Sequence, residues 1–195
     1  MSRLKLFPLN IVAFPTKVIS LHIFEERYKV LIAESISQKK DFGIIFRNNN
    51  DLAEYGCTTT VLEVVKKYSD GRMDILVKGN KIFRLNSKLM EDELLVGEVE
   101  LKDSSIDVVL EDFDELKDKY LKLLLTIGIT SDLDKHIKKS FSFELLDGIT
   151  LPPEFELMLI STTSENHRLK ILNSIFDKIL ANKDIGKLDT LNFES

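Results

Sequence analysis

The prevailing hydrophobic period changes near Lys102, and this restricts the fold to two textures joined end to end. Through the first hundred residues Val, Ile, Leu and Phe recur at every second position in short runs broken by turn chemistry, the pattern of strands in a mainly antiparallel sheet or barrel. The runs are LKLFPL, VISLHI, FGIIF, TTTVLEVVKKY, RMDILV, KIFRL and LLVGEVEL. Asp70-Gly71 predicts a tight hairpin, since both central turn positions can take positive φ there, and Gly79-Asn80 offers a second turn. Pro8 and Pro15 lack the donor a central strand needs, which implies edge positions or bends. FRNNNDLAEYG reads as the polar loop most prone to move.

One segment inside this region has a different period. From Phe24 to about Gln38, Phe24, Tyr28, Leu31, Ile32 and Ser35 recur at spacings of three and four, the stripe of an amphipathic helix. Past Lys102 that spacing takes over. Val109, Phe113, Leu116, Tyr120, Leu124 and Ile127 predict a long helix ended by Gly128. Ser131 and Asp134 are spaced as a capping box, and LPPEFELMLIST opens with two prolines suited to a first helical turn. Leu169, Leu172, Phe176 and Ile179 form the stripe of a last helix, and Ser104, Ser105, Ser161 and Ser164 fall near helix ends as caps. The expected fold class is α+β, with a β-barrel subdomain over 1–103 and a bundle of about four helices over 104–195. The segment after Asn182 reads as a polar tail, as at the end of a complete short protein.

Charge and cysteine content narrow the function classes. Residues 1–101 carry 15 Lys and Arg against 14 Asp and Glu, and residues 102–195 carry 12 against 18, so neither half has the basic footprint of nucleic-acid binding. No run is apolar enough to span a bilayer, and no secretory signal pattern opens the sequence. The single cysteine, Cys57, forms no intrachain disulfide and reads as a buried thiol at a strand start. The expectation is a cytoplasmic protein without membrane contact.

The stretch SLHIFEERYKVLIAES concentrates His22, Glu25, Glu26 and Arg27. His22 precedes the helix, so an i, i+4 chelate with Glu26 fails, and H-E-x-x-H is absent; no metal and no cofactor are expected. Neighbouring glutamates on a helix diverge by about 100° and do not form an acid/base pair. The structural reading makes this a strand-to-helix joint. Phe24 and Tyr28 anchor the helix in the core, and Arg27 reaches back to the barrel to bind carbonyls or a carboxylate. Neither G-x-x-x-x-G-K-[ST] nor G-x-S-x-G occurs, and EDFDELKD lacks the glycine and ligand spacing of a calcium loop.

LKLFPLNIVAFPTKVISLHIFEERYKVLIAE, DFGIIF, GCTTTVLEVVKKYSDGRMDILVKGNKIFRL, VGEVEL and SENHRLKIL together resemble the amino-terminal, substrate-binding domain of Lon proteases over nearly the whole chain. The likeness lies in the Phe-Pro-Leu strand, the second Phe-Pro, Leu-His-Ile-Phe-Glu-x-Arg-Tyr, the Asp-Gly-Arg hairpin and the Gly-x-x-x-Phe that follows. Glu26 stands where the family commonly has proline, and Lys17 where a glycine often follows. The resemblance implies a PUA-like β pseudobarrel with an inserted helix, followed by a C-terminal helical bundle. It also implies a non-catalytic role in recognising polypeptide substrates, since the family's ATPase loop and protease segment are absent from this sequence. The expected partners are unfolded polypeptide or a protein, with a weak homo-oligomer left open. Exposed apolar groups beside mobile backbone nominate Phe14, Phe46, Leu52 and Tyr55 for peptide contact. The structural set is His22, Phe24, Arg27, Tyr28, Gly71 and Gly79. Two rival readings are an RNA-binding PUA-like module and an enzyme centred on His22 and Glu25.

Overall fold

The structure, a computed structural model, describes residues 2–49, 51–102 and 110–181, with the backbone alone at 110–112. Two compact units divide the chain, Met1–Asp103 and Ser104–Ser195. The fold is mixed α+β and sheet-dominated.

In the first unit the strands are β1 (Ser2–Leu9), β2 (Val18–Ile23), β3 (Phe42–Asn48), β4 (Asp51–Lys67), β5 (Met73–Glu91) and β6 (Leu94–Leu101), with α1 (Glu26–Gln38) inserted between β2 and β3. Their order is β2-β5-β4-β3-β1-β6, and β6 pairs back onto β5. Five strands therefore close into a ring, with β2 attached to β5 outside it. β1 and β3 run parallel, and the other pairs are antiparallel. Leu6 and Ile45 face one core cluster while Phe7 and Ile44 face another, which explains the nearly unbroken apolar runs of β1 and β3. Cys57 is fully buried in the second of these clusters, and burial pushes its thiol up to about 12.

Gly79-Asn80 is not a turn. β5 runs straight through it, pairing with β2 over Met73–Lys78 and with β6 over Phe83–Glu91. Cys57 pairs with Ile82 and Thr59 with Gly79, so β5 uses one residue more than β4 at the point where it changes partner, which makes this a bulge. A Cβ built at Gly79 would fall onto the Phe14 carbonyl oxygen. That approach is fixed by Thr16 N–H donating to the Gly79 carbonyl and Gly79 N–H donating to the Lys17 carbonyl, both at 2.9 Å. Gly79 thus ties the second Phe-Pro bend to the barrel wall.

The Asp70-Gly71 hairpin forms, but only Gly71 of the pair takes positive φ, at 84°. Gly71 N–H closes a turn onto the Tyr68 carbonyl at 3.0 Å, and Asp70 Oδ1 accepts from Arg72 N–H at 3.1 Å. The Asn-rich stretch is also a hairpin rather than a long loop. Asn48 pairs with Asp51, and Asn49 at φ 50° begins the two-residue connection.

α1 starts later than its apolar spacing predicts, with Glu25 at the N-cap in extended backbone. Tyr28, Leu31, Ile32 and Ser35 are buried, but Phe24 is 59% exposed and does not anchor the helix in the core. Phe24 instead continues the alternation of β2, where Val18, Ser20 and His22 face outward and Ile19, Leu21 and Ile23 inward.

Helices make up the second unit among the described residues: α2 (Leu110–Thr126), α3 (Leu133–Ile137), a 3-10 turn (Ser142–Leu146), α4 (Pro153–Ser161) and α5 (Glu165–Ala181). Phe113, Leu116, Tyr120 and Leu124 of α2 are buried, as are Leu169, Leu172, Phe176 and Ile179 of α5, and the Tyr120 and Phe176 rings stack at 6.4 Å. Ile127 lies past the end of α2 and is partly exposed, and Gly128 follows at φ 88°. The capping box expected at Ser131 does not form, because α3 starts from Asp132 at φ 56° without a side-chain cap. Ser164 Oγ does accept from His167 N–H ahead of α5, at 3.4 Å. The readings made for Ser104, Ser105, Val109 and the tail after 181 lie outside the described residues.

A closed polar network holds this unit together. Arg168, Glu165 and Ser142 are each at most 2% exposed. Arg168 donates to Glu165 Oε2 from Nη2 at 2.6 Å, to Ser142 Oγ from Nε at 3.0 Å, and to the Thr162 carbonyl, while its guanidinium lies 4.8 Å from the Phe143 ring centroid. Ser142 completes it by donating from its backbone N–H and its hydroxyl to Glu165, at 2.5 and 2.8 Å. The Arg-Leu pair of SENHRLKIL is therefore a structural clamp followed by a core residue.

Candidate functional site

The barrel leaves a seam. Among the described residues β2 has a strand partner only in β5, and its other edge is unpaired along Val18–Ile23. The pairing of β1 with β6 stops at Leu6, leaving Phe7–Leu9 with β3 alone; Pro8, which has no N–H to offer, falls in that stretch. A groove of about 430 Å³ lies along these two strand ends and the start of α1.

Its wall is built by the strand-to-helix joint. Tyr28 is buried and stacks on Phe7 with ring centroids 3.9 Å apart, and burial pushes its phenol up. Arg27 lies over the outer side of this stack, 4.8 Å from the Tyr28 centroid. Its Nε and Nη2 donate to Glu25 Oε2 at 2.9 and 2.6 Å, and its Nη1 donates to the Glu93 carbonyl at 3.3 Å. Arg27 therefore does engage a carbonyl of the β5–β6 turn, but its carboxylate partner is its own neighbour Glu25 and its side chain is about one-third exposed. Phe24 and His22 stand at the mouth, with ring centroids 6.1 Å apart. Arg47, exposed on the β3–β4 hairpin, lines the opposite side.

His22 and Glu25 are bound by different partners. His22 Nδ1 donates to Asp74 Oδ1 at 2.6 Å and the Tyr68 hydroxyl donates to Asp74 Oδ2 at 2.8 Å, and these bonds hold the Asp74 carboxyl below the usual carboxylate range. Glu25 is bound by Arg27, and no bond joins it to His22 among the described residues. The imidazole has an orienting carboxylate, but among the described residues no hydroxyl or thiol nucleophile is bonded to it. Among the described residues no group of three or more His, Cys, Asp or Glu side chains could hold a metal ion, and no helix is long and apolar enough to cross a membrane.

The four residues nominated for peptide contact do not share one surface. Phe14 is 3% exposed, in the bend held by Gly79, with the Lys17 ammonium 4.6 Å from its ring centroid. Phe46, Leu52 and Tyr55 are half-buried around the irregularity between β3 and β4, where Ile45 pairs with Gly56 and Arg47 with Leu52. Leu52 packs onto the Leu6, Ile45, Phe83 and Val99 cluster, and Tyr55 sits opposite Arg84. Along β5, Arg84 and the Gly79 partner of the Phe14 bend are five residues apart, about 16 Å in a strand. The groove is lined instead by Phe24, whose helical spacing points to the core, and by Arg47, which belongs to no motif. Carrying the outward alternation 18, 20, 22 on to 24 would have exposed Phe24.

The model of the ATP-dependent protease La (LON) substrate-binding domain matches residues 3–179. The crystal structure of a Lon N-terminal domain protein from Xanthomonas campestris is similar with a TM-score of 0.74 at 24% identity, covering 89% of this chain and 98% of that one. The N-terminal domain of Lon protease from Mycobacterium avium complex is similar with a TM-score of 0.75 at 15% identity, covering 90% and 98%. At these identities the two structures speak for the fold, and the match over residues 3–179 identifies the chain as a member of the LON substrate-binding domain family.

Proposed function

We propose that this chain is a non-catalytic module that binds segments of unfolded polypeptide or of a protein partner, as a substrate-recognition or adaptor domain, and that it does so at the barrel seam. Membership of a substrate-binding family supports the class of ligand. The observation that carries the location is Phe24, a large aromatic ring 59% exposed at the mouth of a groove beside unpaired strand edges. The ring of five strands with a helix inserted before β3 suits the description of a PUA-like pseudobarrel, and the helices of 110–181 suit that of a helical bundle. A reduced, buried Cys57 fits a cytoplasmic setting.

Fluorescence anisotropy with a labelled, reduced and carboxymethylated protein that stays unfolded tests the reading. Saturable binding is expected, weakened more than about fivefold by Phe24→Ser, as for loss of an interface hot spot, with the melting curve unchanged. Absence of binding at high micromolar concentration would overturn it.

A further inference from the structure

The seam is asymmetric in charge. Two guanidiniums, Arg27 and Arg47, line the groove against one carboxylate, Glu25, which Arg27 already engages twice. Arg47 has no carboxylate within ion-pair distance among the described residues, although the chain as a whole carries a net charge of −5. On the other side of Arg27 the surface changes sign, with Glu25, Glu26 and Glu93 around the exposed Met90. A ligand carboxylate is repelled there and attracted on the Arg47 side.

The edges set the ligand's backbone. Among the described residues β2 has one edge unpaired, and its His22 and Ile23 line the groove, whereas Pro8 interrupts the donors of β1. We propose that the seam takes an extended polypeptide segment carrying an acidic and a large apolar side chain. Its backbone adds to the free edge of β2, its carboxylate meets Arg47, and its apolar group covers Phe24. This inference rests on the reading of the seam as the docking site and adds the chemistry of the segment.

The test uses fluorescein-labelled octapeptides with the same apolar residues and either Asp or Lys at the charged position, a backbone N-methylated Asp peptide, the unfolded carboxymethylated protein and a ten-nucleotide oligouridine. Replacing an attracted charge by a repelled one at a solvent-exposed site changes affinity by about five- to tenfold. The Asp peptide is expected to bind that much more tightly than the Lys peptide, Arg47→Glu to invert the order with unchanged melting, and N-methylation to abolish binding. Equal affinities for the two peptides, or no effect of Arg47→Glu, overturn the inference; if the unfolded protein still binds, the broader reading survives. Failure of the unfolded protein to bind removes both. Oligouridine binding that exceeds the Asp peptide and is lost in Arg47→Glu overturns the inference in favour of a nucleic-acid site.

Discussion

Arg168→Met should be among the most damaging single substitutions in the helical unit. The guanidinium is 1% exposed and contributes donors to Glu165, Ser142 and Thr162, while Glu165, 2% exposed, would keep only the two donors of Ser142. Removing one partner of a buried ion pair leaves an uncompensated charge, at a cost of about 3–5 kcal/mol. Arg168→Lys should fall between variant and wild type, since a single ammonium cannot reach three acceptors in fork geometry. Glu165→Met alone strands the guanidinium and should cost a similar amount. The double variant Arg168→Met with Glu165→Met should cost clearly less than the sum, with a coupling of roughly 2–3 kcal/mol, because both charges leave together. Urea unfolding followed by circular dichroism is the assay, since the chain has no tryptophan to report by fluorescence. Additive single costs, or a loss under about 1 kcal/mol for Arg168→Met, would show that the network does not act as a closed unit.

Gly79→Ala forces a methyl against the Phe14 carbonyl oxygen, which accepts from Lys17 N–H at 3.1 Å in a bend that two further hydrogen bonds tie to Gly79, so a destabilisation of about 1–3 kcal/mol is expected in urea unfolding; a neutral outcome would mean that the bend moves freely. Arg27→Ala removes a partly exposed ion pair and a contact with Tyr28 and should lower stability by only about 1 kcal/mol. The Tyr120 hydroxyl donates to the Asp147 carbonyl at 2.7 Å, so at 2.5 Å it accepts from His136 Nδ1–H. Burial, then the nearby Lys139, lowers the His136 pKa, with the Asp147 charge opposing. The unfolded chain therefore binds the extra proton first, and stability present above about pH 6.5 is lost as pH falls toward the folded value. His136→Gln should flatten that dependence, and a wild-type urea midpoint that does not change from pH 7.5 to 5.5 would contradict the assignment.

Much of the first unit was legible from its apolar runs and its one inserted helix, although two of the seven runs read as strands, RMDILV and KIFRL, belong to the single strand β5, and burial alternates strictly along the whole strand only in β2. The misreadings have local causes. Gly79-Asn80 carries turn residues, yet it serves the bulge where β5 changes neighbours, an event set by β2 and β6 rather than by its own dipeptide. Phe24 satisfies both the helical spacing and the strand alternation, and the extended backbone of Glu25 decides for the strand. Arg27 fits a clamp onto the barrel by type and position, but only tertiary placement reveals that two of its nitrogens go to its neighbour Glu25 and one to the Glu93 carbonyl. The groove itself could not be read at all, since it lies where β1 loses β6 and where β2 has no second partner among the described residues. Arg168 was visible as part of a family pattern, whereas its closure through Ser142 joins residues 26 apart in sequence.

The central claim is that the seam receives polypeptide. Phe24→p-benzoylphenylalanine photo-crosslinking to the unfolded carboxymethylated protein tests it most directly, with the same replacement at Val65, 56% exposed on β4, as the comparison. Strong crosslinking at position 24 that the Asp octapeptide competes away, with little at position 65, is the predicted result. Equal labelling at both positions, or none at 24, would contradict the account.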